Sequence, residues 1–243
     1  MSYLYHNFIY VPLYNGLVFI IGVVPWIDVG VAVIVFTVIV KLILFPLSYK
    51  SIRTQANMKL IEPELNEIKL KYASNKQLQA EQTMALYRAK GINPFSGFFL
   101  ILIQLPIIFA LYSIFLHSGL PHINIDMLYS FVKIPDLINM KFLGIIDVAQ
   151  KSFILSLAAA ITQFFQIRYS MPKPAASTGQ ASFKQDLARS MSFQMRYVLP
   201  VIVFFISYSI SAAIALYWSV SNLFAIAQEI YVRNKVNKQR ETI

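Results

Sequence analysis

The sequence has no cysteine and only three histidines, His6, His117 and His122, which lack ligand spacing. A disulfide framework and a thiolate metal site are thereby excluded, and a histidine zinc site has no support. Charge is equally scarce: 13% of the 243 residues are charged, against about a quarter in an ordinary soluble domain. There is no Gly-rich phosphate loop, no His-Glu zinc pair, no Gly-x-Ser-x-Gly and no second carboxylate inside an apolar run that could form an aspartyl dyad. The chain is therefore expected to be no enzyme and to need no cofactor or metal. The opening MSYLYHNFIYVPLYNG has no Lys or Arg and is followed by no small-residue cleavage site, so residues 1–27 are expected to stay on the mature protein.

What is abundant is apolar. Hydrophobic residues make up 57% of the chain and the mean hydropathy is +0.59, a membrane composition. Residues 29–47 form a 19-residue apolar run holding one charge. At about 1.5 Å per residue such a run crosses a hydrocarbon core of about 30 Å. Residues 95–116 give a second run without charge, and 152–167 a shorter third with two glutamines. From Tyr197 to Gln228 no charge occurs. That stretch fits two short helices joined near Ser207 to Ala212, with one long tilted helix as the alternative.

The fold expected is an all-α membrane protein with five spans: 28–49, 94–117, 151–169, 195–210 and 212–232. Between them lie 50–93, an amphipathic helical hairpin with a break at Pro63; 118–150, an external loop; and 170–194, a loop whose 172–182 part is rich in Pro, Ser and small residues. A basic tail, 233–243, closes the chain. Within 1–27, Leu13 to Trp26 reads as an interfacial helix bracketed by Pro12 and Pro25, with a sixth span as the rival. With five spans, 17 of the 21 basic residues share one side, facing only Lys133, Lys141 and Lys151. The positive-inside rule then puts the N-terminus outside and the C-terminus in the cytoplasm.

The net charge of +10 thus acts on topology and anionic lipid. Lys41 is the exception, since it stands inside the first span with no acidic residue at helical spacing. A lysine at the bilayer midplane costs about 2.5–3.5 kcal/mol on insertion scales. It either snorkels to the interface or faces a wet cavity. Thr37, Lys41 and Ser48 recur at i, i+4 and i+11, as do Ser152, Ser156 and Gln163, with Gln166 one turn on, and Tyr217, Ser221 and Gln228. Gln104 and Tyr112 share a face of the second span. Such stripes either bond to a neighbouring helix or line a conduit.

Three segments, FTVIVKLILFPL at 36–47, MALYRAKGINPFSGFFLILIQLPIIFALYSIF at 84–115 and LYWSVSNLFAIAQE at 216–229, resemble those of the YidC/Oxa/Alb family of membrane protein insertases. The resemblance covers most of residues 12–235. It implies five spans around a hydrophilic groove open to cytosol and lipid, in a multi-pass protein of the bacterial cytoplasmic (inner) membrane. The clients implied are nascent membrane proteins, inserted and helped to fold alone or with the Sec translocon. Lys41 takes the place of the family's groove arginine, SYSISAAIALYW stands where a Pro-Gly type turn usually does, and the large periplasmic domain and lipoprotein-like signal of many members are not expected here.

On this reading the substrate groove comprises Lys41, Thr37, Gln104, Gln163, Gln166, Tyr217 and Ser221. Leu105, Pro106, Tyr217 and Trp218 line an apolar exit path. Arg233, Lys235, Lys238 and Arg240 meet either ribosomal RNA or lipid. The rival from another class is a small polytopic transporter or channel with a solute site at the midplane. It lacks an inverted repeat and an acidic coupling residue.

Overall fold

The computed structural model describes residues 3–24, 26–93, 96–116, 120–135, 137–170, 190 and 193–241. The chain is mostly helical and divides into two compact units. The first comprises Met1–Ile43 with Gln104–Ala227, the second Leu44–Ile103 with Gln228–Ile243. The loop expected over 172–182, the basic residues Lys173, Lys184 and Arg189, and Pro25, Phe95 and His117 lie outside the described residues.

In the first unit, α1 runs Tyr3–Val23. It begins ten residues before the Leu13 expected from sequence, because Pro12 does not start it. The helix widens into a π turn at His6–Tyr10, where the Val11 N–H bonds the His6 carbonyl, and Pro12 follows in the first regular turn. There its missing N–H and fixed φ cost little. Trp26 lies beyond the end of the helix. The spacing of the two prolines therefore does not set the length of this helix, which at 21 residues is the one described helix long and apolar enough to cross a membrane.

Helix α2, Val29–Ile43, packs on α1, and Tyr14, Leu17 and Val18 on α1 and Val29, Val33 and Phe36 on α2 are all buried. Gly16 lets Phe36 close: a Cβ there would sit 3.3 Å from its ring. The run 29–47 is not one helix. Leu44 breaks it, and α3, Phe45–Leu60, starts with Pro46 in its first turn. Pro46 has no N–H to continue the α2 ladder.

Helix α6, Ser96–Leu116, carries Pro106 in its interior. The segment 120–150 contains a short 3-10 turn and a two-strand hairpin, β1 Lys141–Phe142 antiparallel to β2 Ile146–Asp147. Helices α7, Phe153–Ser170, α8, Gln194–Ile210, and the first turns of α9, Ala212–Glu241, share a core of Leu155, Ala159, Val203, Ala212, Ala215 and Leu216. Alanines at 0% exposure allow close helix approach without a large side chain between backbones. Ser211 is extended, and it separates α8 from α9; the long uncharged stretch is two helices.

In the second unit, α4, Glu62–Lys71, and α5, Lys76–Ala89, form the hairpin. The chain breaks at Ile61 and Pro63 sits in the first turn of α4. Asn75 caps α5 by accepting the Leu78 N–H at 3.0 Å. Neither helix has a buried residue, as their mixed charges require. On α3, Ile52 packs with Val232 and Val236 of α9, flanked by Tyr49 and Ala56.

Candidate functional site

The polar faces expected from helical spacing meet in the first unit. The Lys41 Nζ donates to Gln104 Oε1 at 3.0 Å, and Gln104 Nε2 donates to the Tyr217 hydroxyl at 2.6 Å. Three helices, α2, α6 and α9, are thus joined by one line of side chains. The lysine meets an amide oxygen and no carboxylate among the described residues, so its charge is solvated by a dipole but not neutralised. Lys41 is partly exposed whereas Tyr217 is buried at 1%. Thr37, one turn before Lys41, is fully buried and returns its hydroxyl to the Val33 carbonyl at 2.6 Å. It shapes the face but offers nothing to a ligand.

A second line starts one residue further along α9. Trp218 Nε1 donates to Gln163 Oε1 at 3.0 Å, Gln163 Nε2 to Gln166 Oε1 at 3.2 Å, and Gln166 Nε2 to Ser170 Oγ at 3.1 Å. Asn222 adds a bond from Nδ2 to Thr162 Oγ1 at 3.2 Å. Helix α9 therefore presents Tyr217 toward α6 and Trp218 toward α7 from consecutive positions. Ser221 is buried on α9, and Ser156 Oγ on α7 is buried with no hydrogen-bond partner among the described residues.

Tyr217 was expected both in the groove and on the exit path. It is buried, and its hydroxyl accepts from Gln104. Leu105 is exposed, Pro106 and Trp218 are half-buried, and the Pro106 carbonyl accepts the Tyr5 hydroxyl at 3.4 Å. Asn222 and Thr162 were missed from sequence, although Asn222 follows Ser221 directly and lies within an uncharged run.

In the second unit the basic tail is partly committed. Arg233 donates to Glu229 Oε1 at 2.7 Å through Nε and 2.6 Å through Nη2, and Glu229 is 3% exposed. Lys235 stands 5.6 Å from the centre of the Tyr49 ring. Gln228, placed by sequence on a polar stripe, donates to Ser48 Oγ at 2.9 Å. Lys238 is exposed and hydrogen-bonded or otherwise engaged; the Arg240 side chain lies outside the described residues.

Comparison with known proteins points one way. A family model described as 60Kd inner membrane protein matches residues 20–239. The chain is 32% identical over 206 residues to the membrane protein insertase YidC of Fusobacterium nucleatum, covering 85% of this chain and 86% of that protein. It is 32% identical over 209 residues to the protein of the same name in Clostridium tetani, covering 86% and 83%. The likeness to its namesake in Rickettsia rickettsii is 30% over 238 residues, 93% of this chain but 38% of that longer protein.

Proposed function

The chain belongs to the 60Kd inner membrane protein family, the YidC/Oxa/Alb family that its motifs resemble, and from that premise we propose that it is an insertase. It inserts nascent membrane proteins into the bacterial inner membrane and helps them fold, without catalysing a reaction. The observation that carries the mechanism is the line Lys41–Gln104–Tyr217, a cation held by a neutral amide.

Five spans enclose a groove in this proposal, with the N-terminus outside, the C-terminus in the cytoplasm and α1 along the outer face. An acidic group on a client's hydrophilic tail competes with Gln104 for the Lys41 ammonium. The gain is large because a charge-assisted bond to a carboxylate replaces one to an amide. Polar groups on α7 and α9 spare the tail part of its desolvation cost, while the client's apolar segment leaves past Leu105, Pro106 and Trp218. The membrane potential assists an acidic tail by about 2.3 kcal/mol per charge per 100 mV for a full crossing. No nucleotide is needed. The ribosome and the Sec translocon are proposed partners, the first through Lys235 and Lys238. The names of the relatives lend no support to a transporter.

The test is insertion of a single-span, N-out client with an acidic tail into proteoliposomes containing Lys41→Arg, Lys41→Ala or Lys41→Glu. Arginine is expected to sustain insertion, alanine to reduce it and glutamate to abolish it. Undiminished insertion with glutamate removes the attraction step.

A further inference from the structure

The hairpin in segment 120–150 is tied to the ends of two helices. Val29 N–H donates to the Asn139 carbonyl at 2.9 Å, and Ala212 and Ala213, the first residues of α9, donate to Gln150 and Val148 carbonyls at 2.7 and 2.9 Å. Val148 N–H returns to Met140 O at 2.9 Å, across the hairpin. The hairpin is therefore level with the points where the uncharged runs of α2 and α9 begin.

Asp28 fixes the tip. One carboxylate oxygen caps α2 through the Val31 N–H at 2.8 Å, and the other accepts the Leu143 N–H at 3.1 Å. Leu143 has φ 51, in the left-handed region that non-glycine residues avoid, and Gly144 follows at φ 73. Phe142 closes over Gly30, where a Cβ would lie 2.6 Å from the phenylalanine Cβ. What this clamped turn presents is apolar: Leu143 is 66% and Ile145 83% exposed, and Trp26, two residues from Asp28, is 86% exposed. Lys141 and Lys151 stand exposed on either side in sequence.

A rigid apolar tip at the level of two membrane-helix ends, with a tryptophan and lysines beside it, has the composition of a bilayer interface: apolar groups at the acyl boundary, the indole among headgroups, ammonium groups on phosphates. We propose that the 141–147 hairpin is a lipid anchor, dipping Leu143 and Ile145 into the headgroup–acyl boundary of the leaflet that meets the starts of α2 and α9. Lys141 and Lys151 bind lipid phosphates there, and Asp28 sets the depth. This anchor rests on the chain being a membrane protein and not on its insertase activity.

Because the chain has no cysteine, Ile145→Cys gives a single site for an environment-sensitive fluorophore at a solvent-facing position that tolerates substitution. The full chain is reconstituted in phosphatidylethanolamine–phosphatidylglycerol vesicles. The expected result is quenching by lipids bearing a nitroxide near the headgroup and protection from aqueous iodide, the reverse of a label at Lys76→Cys on the hairpin of α4 and α5. Adding Asp28→Ala is expected to cut the lipid quenching at least about two-fold, and Asp28→Asn, which keeps only one of the two acceptor oxygens, to cut it less. Quenching of the Ile145 label by iodide and not by the nitroxide lipid would place the tip in water and overturn the proposal. Shielding from both quenchers would mean that protein, such as a second copy, covers the tip, and would overturn it equally.

Discussion

At position 41 the side chain is an ammonium where an arginine would offer a planar fork. An ammonium is a point charge on a flexible stem, and one amide oxygen at 3.0 Å is enough to orient it. For that reason Lys41→Arg is expected to keep insertion activity while changing how strongly acidic clients are preferred. Tyr217→Phe removes the acceptor that fixes Gln104. The half-buried amide then lacks one partner, and a stability loss of about 0.5–1.5 kcal/mol is expected in detergent unfolding, with insertion of acidic-tailed clients slowed further than that of neutral ones. Gly30→Ala is expected to destabilise the first unit, because its Cβ and Phe142 cannot occupy the same space. Thermal unfolding in detergent checks it, and because the Phe142 Cβ is itself one of the clashing atoms, only replacing Phe142 by glycine in the same chain is expected to relieve the clash.

At the scale of elements, the hairpin of α4 and α5 is held by modest local interactions. Asn75→Ala removes the cap of α5 and is expected to cost about 1 kcal/mol, seen as faster hydrogen exchange in the first turn of α5. The Lys90–Glu64 pair at 2.7 Å, with both side chains 44% exposed, is expected to contribute within about 1 kcal/mol of nothing. The junction between α3 and the end of α9 is more demanding. Burial lowers the Lys59 pKa from its ordinary value of 10.5, the Arg233 guanidinium lowers it further, and Glu229 and Glu62 pull it back. The folded state therefore holds the Lys59 proton less tightly than the unfolded chain. The resulting penalty is full below the folded pKa and is relieved as the pH rises toward 10.5. Thermal stability of the second unit is expected to rise as the pH approaches that value from below, and Lys59→Gln to remove this contribution to the slope.

For the whole molecule, the distribution of charge is the property that function uses. Lysines and arginines crowd the segments proposed to face the cytoplasm, but the basic tail is not a free electrostatic arm. Arg233 is tied to buried Glu229, and Val232 and Val236 pack on Ile52. Deleting residues 233–243 would disturb that packing as well as remove charge. Replacing Lys235 and Lys238 with glutamine is the cleaner probe. If these lysines meet ribosomal phosphates, pelleting with ribosomes weakens, and the slope of log affinity against log salt falls by about 0.7–0.9 for each phosphate no longer neutralised. An unchanged slope assigns the lysines to the fold and to lipid.

Composition and periodicity determine much of this protein, because a chain so poor in charge must bury its backbone in helices. The all-α class, the helical hairpin, the break at Pro63, the separation of α8 from α9 and the faces carrying Lys41, Gln104, Gln163 and Tyr217 were all legible in one dimension, through residue spacing and helix-breaking residues. Tertiary structure decided which polar groups pair: that Lys41 meets Gln104, that Trp218 meets Gln163 and that Glu229 is buried against Arg233. It also decided that α1 runs through Pro12, that Leu44 interrupts the first apolar run and that Asp28 clamps a distant turn. Helical spacing fixes the face on which a residue stands, whereas its partner depends on which helix packs opposite and at what height. Those are set by side-chain packing and backbone bonds between segments as far apart as Asp28 and Leu143, which no local pattern encodes.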